Sequence, residues 1–354
     1  MGDIGSGTHS RRTFLKTAGA ATAIGLAGCS GGGGGSGEVP TIRYAGISAA
    51  FLNDLNAMFQ QSSYIPENVF ENRGEEYEWE FVEVQSTPVV VNTLGSDEAD
   101  AGLLAYSSIA NAIQNEAIGS GQSIVAPLTY DGPRYADSYV STADSDITEV
   151  SQLEGGSIGV NGVGSAIDIA ARFVLTQNDI SPDDVEFREV SFGAMPSTLS
   201  EGRVDVGTFI QPFFEMNQDS IQTVFDTTDA FGSFLKIFLT FRDDFLSENG
   251  DAVRAYLEDF WTALEWWQDD SNSEQRLDIA EEVIGLPRPL LSELVQTEKG
   301  YYHGEDGLAI NPEWVQKPVD GMEEVGFLDS GIDMSQYVDN SYLPDAANNE
   351  PSIN

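Results

Sequence analysis

The chain repeats itself, and that constrains its fold more than any other feature. Glu80-Phe81-Val82-Glu83-Val84 recurs as Glu186-Phe187-Arg188-Glu189-Val190, an offset of 106 residues. A few residues on, Thr93-Leu94…Asp100-Ala101-Gly102 recurs as Thr198-Leu199…Asp205-Val206-Gly207, at an offset of 105. Upstream, Ile42…Gly46 and Ile158…Gly162 share a weaker correspondence. Matches in the same order along the chain indicate two copies of one structural unit.

The unit reads as strand, helix, strand, helix, strand. Short β-branched or alternating runs predict strands at Thr41–Tyr44, Glu80–Val84 and Ala101–Ala105, then at Ser157–Val160, Val185–Val190 and Val204–Phe209. Helical spacing falls between them, at Leu52–Phe59, Val89–Leu94 and Ser107–Ala117, then at Ala166–Leu175 and Ala194–Leu199. This alternation gives two α/β lobes with mostly parallel sheets. Residues 131–232 form the second lobe; residues 41–130 and 233–354 form the first and add a helical C-terminal third. The links fall at Leu128–Tyr135, with Gly132 and Pro133 as turn formers, and at Ala230–Ser233. From Ala252 to Trp267 one helix face carries Val253, Tyr256, Leu257, Phe260, Leu264 and Trp267, a core-packing face. The polar tail beyond Leu343 is expected to be loose.

The first forty residues are of another kind. Ser10-Arg11-Arg12-Thr13-Phe14-Leu15-Lys16 has the form of a twin-arginine export signal. The apolar stretch Ala18–Ala27 is too short to cross a bilayer and reads as the h-region of a leader. Leu26-Ala27-Gly28-Cys29 then matches a lipobox, with Cys29 as the lipidation site. Residues 1–28 are thus a leader, and 29–40 a Gly/Ser tether. Cys29 is the chain's single cysteine, so an intrachain disulfide is impossible, and a lipid thioether gives the lone thiol a use. These signals place the protein lipid-anchored on the outer face of the cytoplasmic membrane.

The charge is the next constraint. With 58 acidic and 16 basic residues the chain carries −42, and removal of the leader's cations makes it more negative. Such a surface repels phosphates, which excludes nucleic acid as a partner. The chain is nevertheless 41% apolar and 10% aromatic, enough for a core. Acidity of this order suits molar salt, where self-repulsion is screened, and indicates a haloarchaeal lipoprotein.

Several stretches carry a family resemblance: Thr93–Ser108, Val150-Ser151-Gln152-Leu153-Glu154-Gly155, Ile180-Ser181-Pro182-Asp183-Asp184-Val185 and Val338-Asp339-Asn340-Ser341-Tyr342-Leu343. Over Thr41 to Leu343 the chain resembles the nitrate/sulfonate/taurine-type and thiamine-pyrimidine-precursor-type solute-binding family of ABC transporters. It departs from that pattern at Asp97, where the family often has glycine and the second copy keeps Gly202. The resemblance implies a two-lobed periplasmic-binding-protein-like fold with two crossovers (type II). It also implies a monomer that captures a small organic or anionic solute and delivers it to ABC permease and ATPase subunits. A receptor of an ion-gradient-driven uptake system and a surface interaction module are the alternatives.

Enzyme chemistry finds little support. His303 is the one histidine beyond the leader, the cysteine is committed to the tether, and neither a metal site nor a cofactor is expected. The segment Gly162-Val163-Gly164-Ser165-Ala166 only approaches a nucleophile elbow. The same turn, entered through Asn161, can offer backbone N–H groups and a helix N-terminus to a ligand oxygen.

Ligands of open α/β sheets bind beyond the carboxyl ends of strands, and the repeat locates those ends in both lobes. They deliver Ser48 and Ala49, then Tyr106, Ser107 and Ser108, from the first lobe. The second lobe delivers Asn161, Gly164, Ser165 and Gln211, and Phe51, Tyr106 and Tyr130 complete an apolar rim. Arg134 is the single cation expected near the cleft.

Overall fold

The computed structural model describes residues 39–297, 300–304, 306–329 and 331–353, with the backbone alone for residues 49–51. Arg11, Arg12 and Cys29, and with them the expected leader, lie outside the described residues.

One five-stranded sheet is built from β1 (Thr41–Gly46), β2 (Glu78–Glu83), β3 (Ala101–Ala105), β4 (Gln122–Asp131) and β10 (Phe234–Arg242), in the order β2-β1-β3-β10-β4. The other uses β5 (Ser138–Thr142), β6 (Ser157–Val160), β7 (Glu186–Glu189), β8 (Val206–Phe209) and β9 (Ile221–Asp226), in the order β7-β6-β8-β5-β9. The two orders are the same plan. β1 runs parallel to β2 and β3, as β6 does to β7 and β8. The strand that enters each sheet from the other lobe, β10 or β5, is antiparallel to both its neighbours. The sheets are therefore mixed rather than purely parallel, and the chain crosses between lobes twice. β3 and β10 are buried along their whole length, which explains their continuous apolar runs.

The register corrects one part of the repeat. Tyr44 pairs with Phe81 and Ala101, and Ile158 pairs with Phe187 and Val206. Tyr44 and Ile158 are thus equivalent, an offset of 114, whereas matching Ile42 to Ile158 slips the strand by two residues. A slip of two keeps every side chain on its own face, so alternation cannot detect it.

Helices α1 (Leu55–Gln61), α2 (Thr87–Gly95) and α3 (Tyr106–Gln114) belong to the first unit. The second holds α4 (Ala166–Gln177), α5 (Met195–Ser200), α6 (Phe213–Asn217) and α7 (Thr227–Phe231). The helix expected over Leu52–Phe59 is two elements, because Asp54 accepts the Ala57 N–H (3.0 Å) and starts α1 afresh after a 3-10 turn at Ser48–Asn53. α2 crosses β3 closely at Gly102, where a Cβ would lie 2.6 Å from Val90 Cγ1 and 2.8 Å from the Ala45 carbonyl oxygen. Gly207 is the equivalent contact beneath Met195 of α5, with a nearest approach of 3.1 Å. Asp97 departs from glycine yet keeps its conformation: its φ is 61°, against 66° at Gly202.

Helices α8 (Asp243–Gln268), α9 (Ser273–Ile284), α10 (Arg288–Val295) and α11 (Glu313–Glu324) cover the first lobe, and α11 also touches α4 and α7. The expected apolar face of α8 is buried, with Trp267 against Phe59 (5.2 Å) and Tyr256 against Tyr77 (5.4 Å). None of the described helices is long and apolar enough to cross a membrane. The tail is not loose. Ala347 and Ile353 are buried, and the Leu308 and Ala309 N–H groups donate to the carbonyls of Ala347 and Asn349 (2.8 and 3.0 Å). A few buried apolar residues and these backbone hydrogen bonds pin a segment whose composition is otherwise polar.

Candidate ligand-binding cleft

The repeat brings the equivalent ends of both units to one cavity. Ile47 and its counterpart Asn161 line it, as do Thr87 and Phe192, and Ala105 and Ile210; Asn53 and Ile167 also line it. Asp137, just before β5, and Ile237, in β10, occupy equivalent positions beside β8 and β3 and line it too. The space they line is about 50 Å³, room for a few water molecules, and it is partly open to solvent. A larger solute enters only if the lobes part. Among the described residues no cluster of His, Cys, Asp or Glu is placed to hold a metal ion.

The cationic part of the wall is Lys236, the third residue of the largely apolar β10. Its ammonium lies 2.6 Å from Asp131 Oδ1, 2.8 Å from Asp137 Oδ2 and 4.7 Å from the centre of the Tyr301 ring. Burial pulls the Lys236 pKa down, but Asp131 and Asp137 outweigh it and hold the amine above its ordinary value. Burial raises Asp131 to about 6 against the opposing pull of Lys236. The Tyr301 hydroxyl donates to Asp137 Oδ1 (2.8 Å), and Thr227 of α7 donates to Asp131. Asp131 opens the outgoing crossing and Asp137 closes it, while Thr227 and Lys236 flank the return. The cluster therefore ties both crossings together at the point about which the lobes would turn.

The glycine turn before α4 is arranged differently from its sequence reading. Its N–H groups already serve this chain's own carboxylates: Val163 donates to Glu189 Oε1 (2.9 Å) and Gly164 to Asp168 Oδ2 (2.8 Å). Asp168 is in turn paired with Arg172 at 2.9 Å. Ser165 caps α4 by accepting the Asp168 N–H (3.3 Å) and donates its own proton to Asn161 Oδ1 (2.8 Å). That bond turns the NH2 group of Asn161, rather than its oxygen, toward other partners.

Of the residues expected from sequence, Asn161 and Ser165 line this cavity and several others do not. Tyr106 is buried and donates across the lobes to the Ala166 carbonyl at 2.7 Å. Ser108 donates to Thr87 Oγ1 at 2.7 Å, and Ser107 is enclosed beneath the surface. Ser48 donates to Glu83 on the rim of β2. Gly164 stands outside the lining. Tyr130 and Arg134 line a separate cavity with Pro133 and Tyr302. Gln211 and Arg134 border a third one beside His303. Ala49 and Phe51 carry side chains outside the described residues. Tyr106, Ser107 and Ser108 follow the end of β3 directly and form the first turn of α3, where their side chains are buried.

Lys236, Asp131, Asp137, Asn53, Thr87 and Phe192 were missed. Lys236 had a signal, an ionisable side chain inside the run Phe-Leu-Lys-Ile-Phe-Leu, since a buried charge needs a partner or a purpose. His303 is held by the Leu128 carbonyl, 2.7 Å from Nδ1, and burial lowers its pKa to about 3, so it is neutral.

Residues 134–270 match the NMT1/THI5-like family model. No curated protein matches the chain. Among solved structures, it is similar to the ligand-binding component of an ABC-type import system from Staphylococcus aureus, with 17% identity over 88% of this chain and 100% of that one, at a TM-score of 0.68. It is also similar to the periplasmic aliphatic sulphonate-binding protein SsuA of Escherichia coli, with 18% identity over 84% and 97% and a TM-score of 0.64. The periplasmic nitrate-binding protein NrtA of Synechocystis PCC 6803 matches at 14% identity over 86% and 87%, with a TM-score of 0.65. The fold is that of the periplasmic binding proteins.

Proposed function

We propose that this chain is the extracytoplasmic solute-binding component of an ABC-type importer. It captures a small organic solute between its lobes and presents the closed form to a permease and its ATPase. The observation that carries this reading is the pseudo-symmetric cleft, in which equivalent positions of two repeated units face one cavity beside the crossings. The family match and the binding-protein neighbours support the same reading. A ligand touching both lobes stabilises the closed state because it makes its full set of contacts only there.

The test is thermal unfolding in molar KCl against a panel of small metabolites. A binder at a hundredfold excess over its Kd adds about 2.7 kcal/mol to stability, a shift of several degrees. A panel spanning amines, heterocycles, sulfonates and inorganic anions that gives no shift, and no change in scattering profile, would count against a receptor.

The leader and lipobox support export and attachment through Cys29. Mass measurement of the native protein is expected to show a lipidated chain beginning at Cys29; an intact Met1–Gly28 segment would refute this.

A further inference from the structure

The cleft has no positive charge to spare. Lys236 is the one cation among the residues lining it, and its ammonium lies against Asp131, Asp137 and the Tyr301 ring. An anion reaching the ammonium must displace a buried carboxylate, which would then lose its own partner. The turn before α4, the other place where an anion could be received, is filled by Asp168 and Glu189. Lys236 with Asp131 and Asp137 sums to one negative charge, Asp168 is balanced by Arg172, and Glu189 adds a further negative charge.

Beside the amide NH2 groups of Asn53 and Asn161, the polar groups left over include two acceptors. A carboxylate has about four lone-pair sites. Asp137, 2% exposed and facing the cleft, uses Oδ1 for Tyr301 and Oδ2 for Lys236. Asn53, 7% exposed and lining the same cleft, has a buried Oδ1 with no hydrogen-bond partner among the described residues. Around them lie Ile47, Leu103, Ile167, Phe192, Ile210 and Ile237, an apolar wall that suits a carbon skeleton better than a hydrated inorganic ion.

We propose that the cleft selects a small organic solute carrying a protonated nitrogen, an ammonium or amidinium, and rejects sulfonates and nitrate. Its N–H groups pair with Asp137 and with the amide oxygen of Asn53, and its apolar part lies on the isoleucine wall. This inference rests on the reading of the chain as a solute receptor. It departs from the solutes that the sulphonate- and nitrate-binding neighbours are named for.

Charge-swapped probes on shared skeletons test it: benzylamine and benzamidine against benzenesulfonate, and ethylamine against ethanesulfonate and nitrate, titrated calorimetrically in molar KCl. The cationic probes are expected to bind at least tenfold more tightly than their anionic partners. Asp137→Asn is expected to weaken the cations tenfold or more without strengthening the anions. Asn53→Ala, which leaves the Lys236 cluster intact, is expected to weaken them several-fold and serves if Asp137→Asn does not fold. Tighter binding of a sulfonate or nitrate overturns the charge assignment and leaves the receptor reading standing. If no probe of either charge binds, the charge assignment fails; the metabolite panel then decides separately whether the receptor reading fails with it.

Discussion

Asp54 and His303 are buried titratable groups whose effects on stability have opposite signs. Burial raises Asp54 from 3.8 to about 6, against the opposing hydrogen bonds from Tyr44 (2.6 Å) and Ala57 (3.0 Å). An acid with a higher pKa folded than unfolded takes up its proton first in the folded state, so stability rises as pH falls from about 6 toward 3.8. His303 does the reverse: its pKa is depressed to about 3, and the stability of its neutral form is lost as pH falls below 6.5. Comparing variants separates the two. Asp54→Asn keeps an acceptor for the cap of α1 and removes only the carboxylate. Wild type is expected to gain about 2 kcal/mol relative to this variant between pH 7 and pH 4, measured by urea unfolding at each pH. A difference that does not vary with pH would contradict the burial argument. Neither environment could be read from sequence: helical spacing put Asp54 inside a helix, and nothing local to His303 announced its burial.

Among the elements, the repeat was legible to the extent that strand chemistry is local. Glu80–Val84 and Val185–Val190 announced β2 and β7 through alternation, and Gly102 and Gly207 marked where a helix presses on a strand. The two-residue slip in β1 against β6 was invisible because alternation has a period of two. β5 and β10 escaped the repeat because each is the strand its lobe receives from the other, and Lys236 and the residues around Asp137 lie on or beside them. The glycine pair gives a direct check. Gly102→Ala pushes a Cβ onto a β-branched side chain and a carbonyl, and is expected to cost about 1–3 kcal/mol. Gly207→Ala meets side chains alone, the flexible Met195 at 3.1 and 3.2 Å and the edge of the Phe209 ring at 3.3 Å, and is expected to cost less. Equilibrium unfolding of the two variants measures the difference; equal costs would argue against the close approach at Gly102.

For the whole molecule, the cavity volume and the crossings lead to one consequence. A space of about 50 Å³ walled by both lobes cannot admit an organic solute without opening. The two crossings, tied by Lys236, Asp131 and Thr227, are the places where that motion turns. The proposed receptor would exchange between open and closed forms, its solute drawing the population toward the closed one. Val89 on α2 and Val163 in the turn before α4 are exposed, follow cleft-lining residues by two positions, and sit on opposite lobes. Spin labels at Val89→Cys and Val163→Cys, in a Cys29→Ser chain, report the distance across the cleft by pulsed dipolar spectroscopy. With the panel solute that stabilises the protein most, the distribution is expected to collapse to a single short distance from a longer or broader one without it. An unchanged distribution at saturating solute would contradict capture between closing lobes.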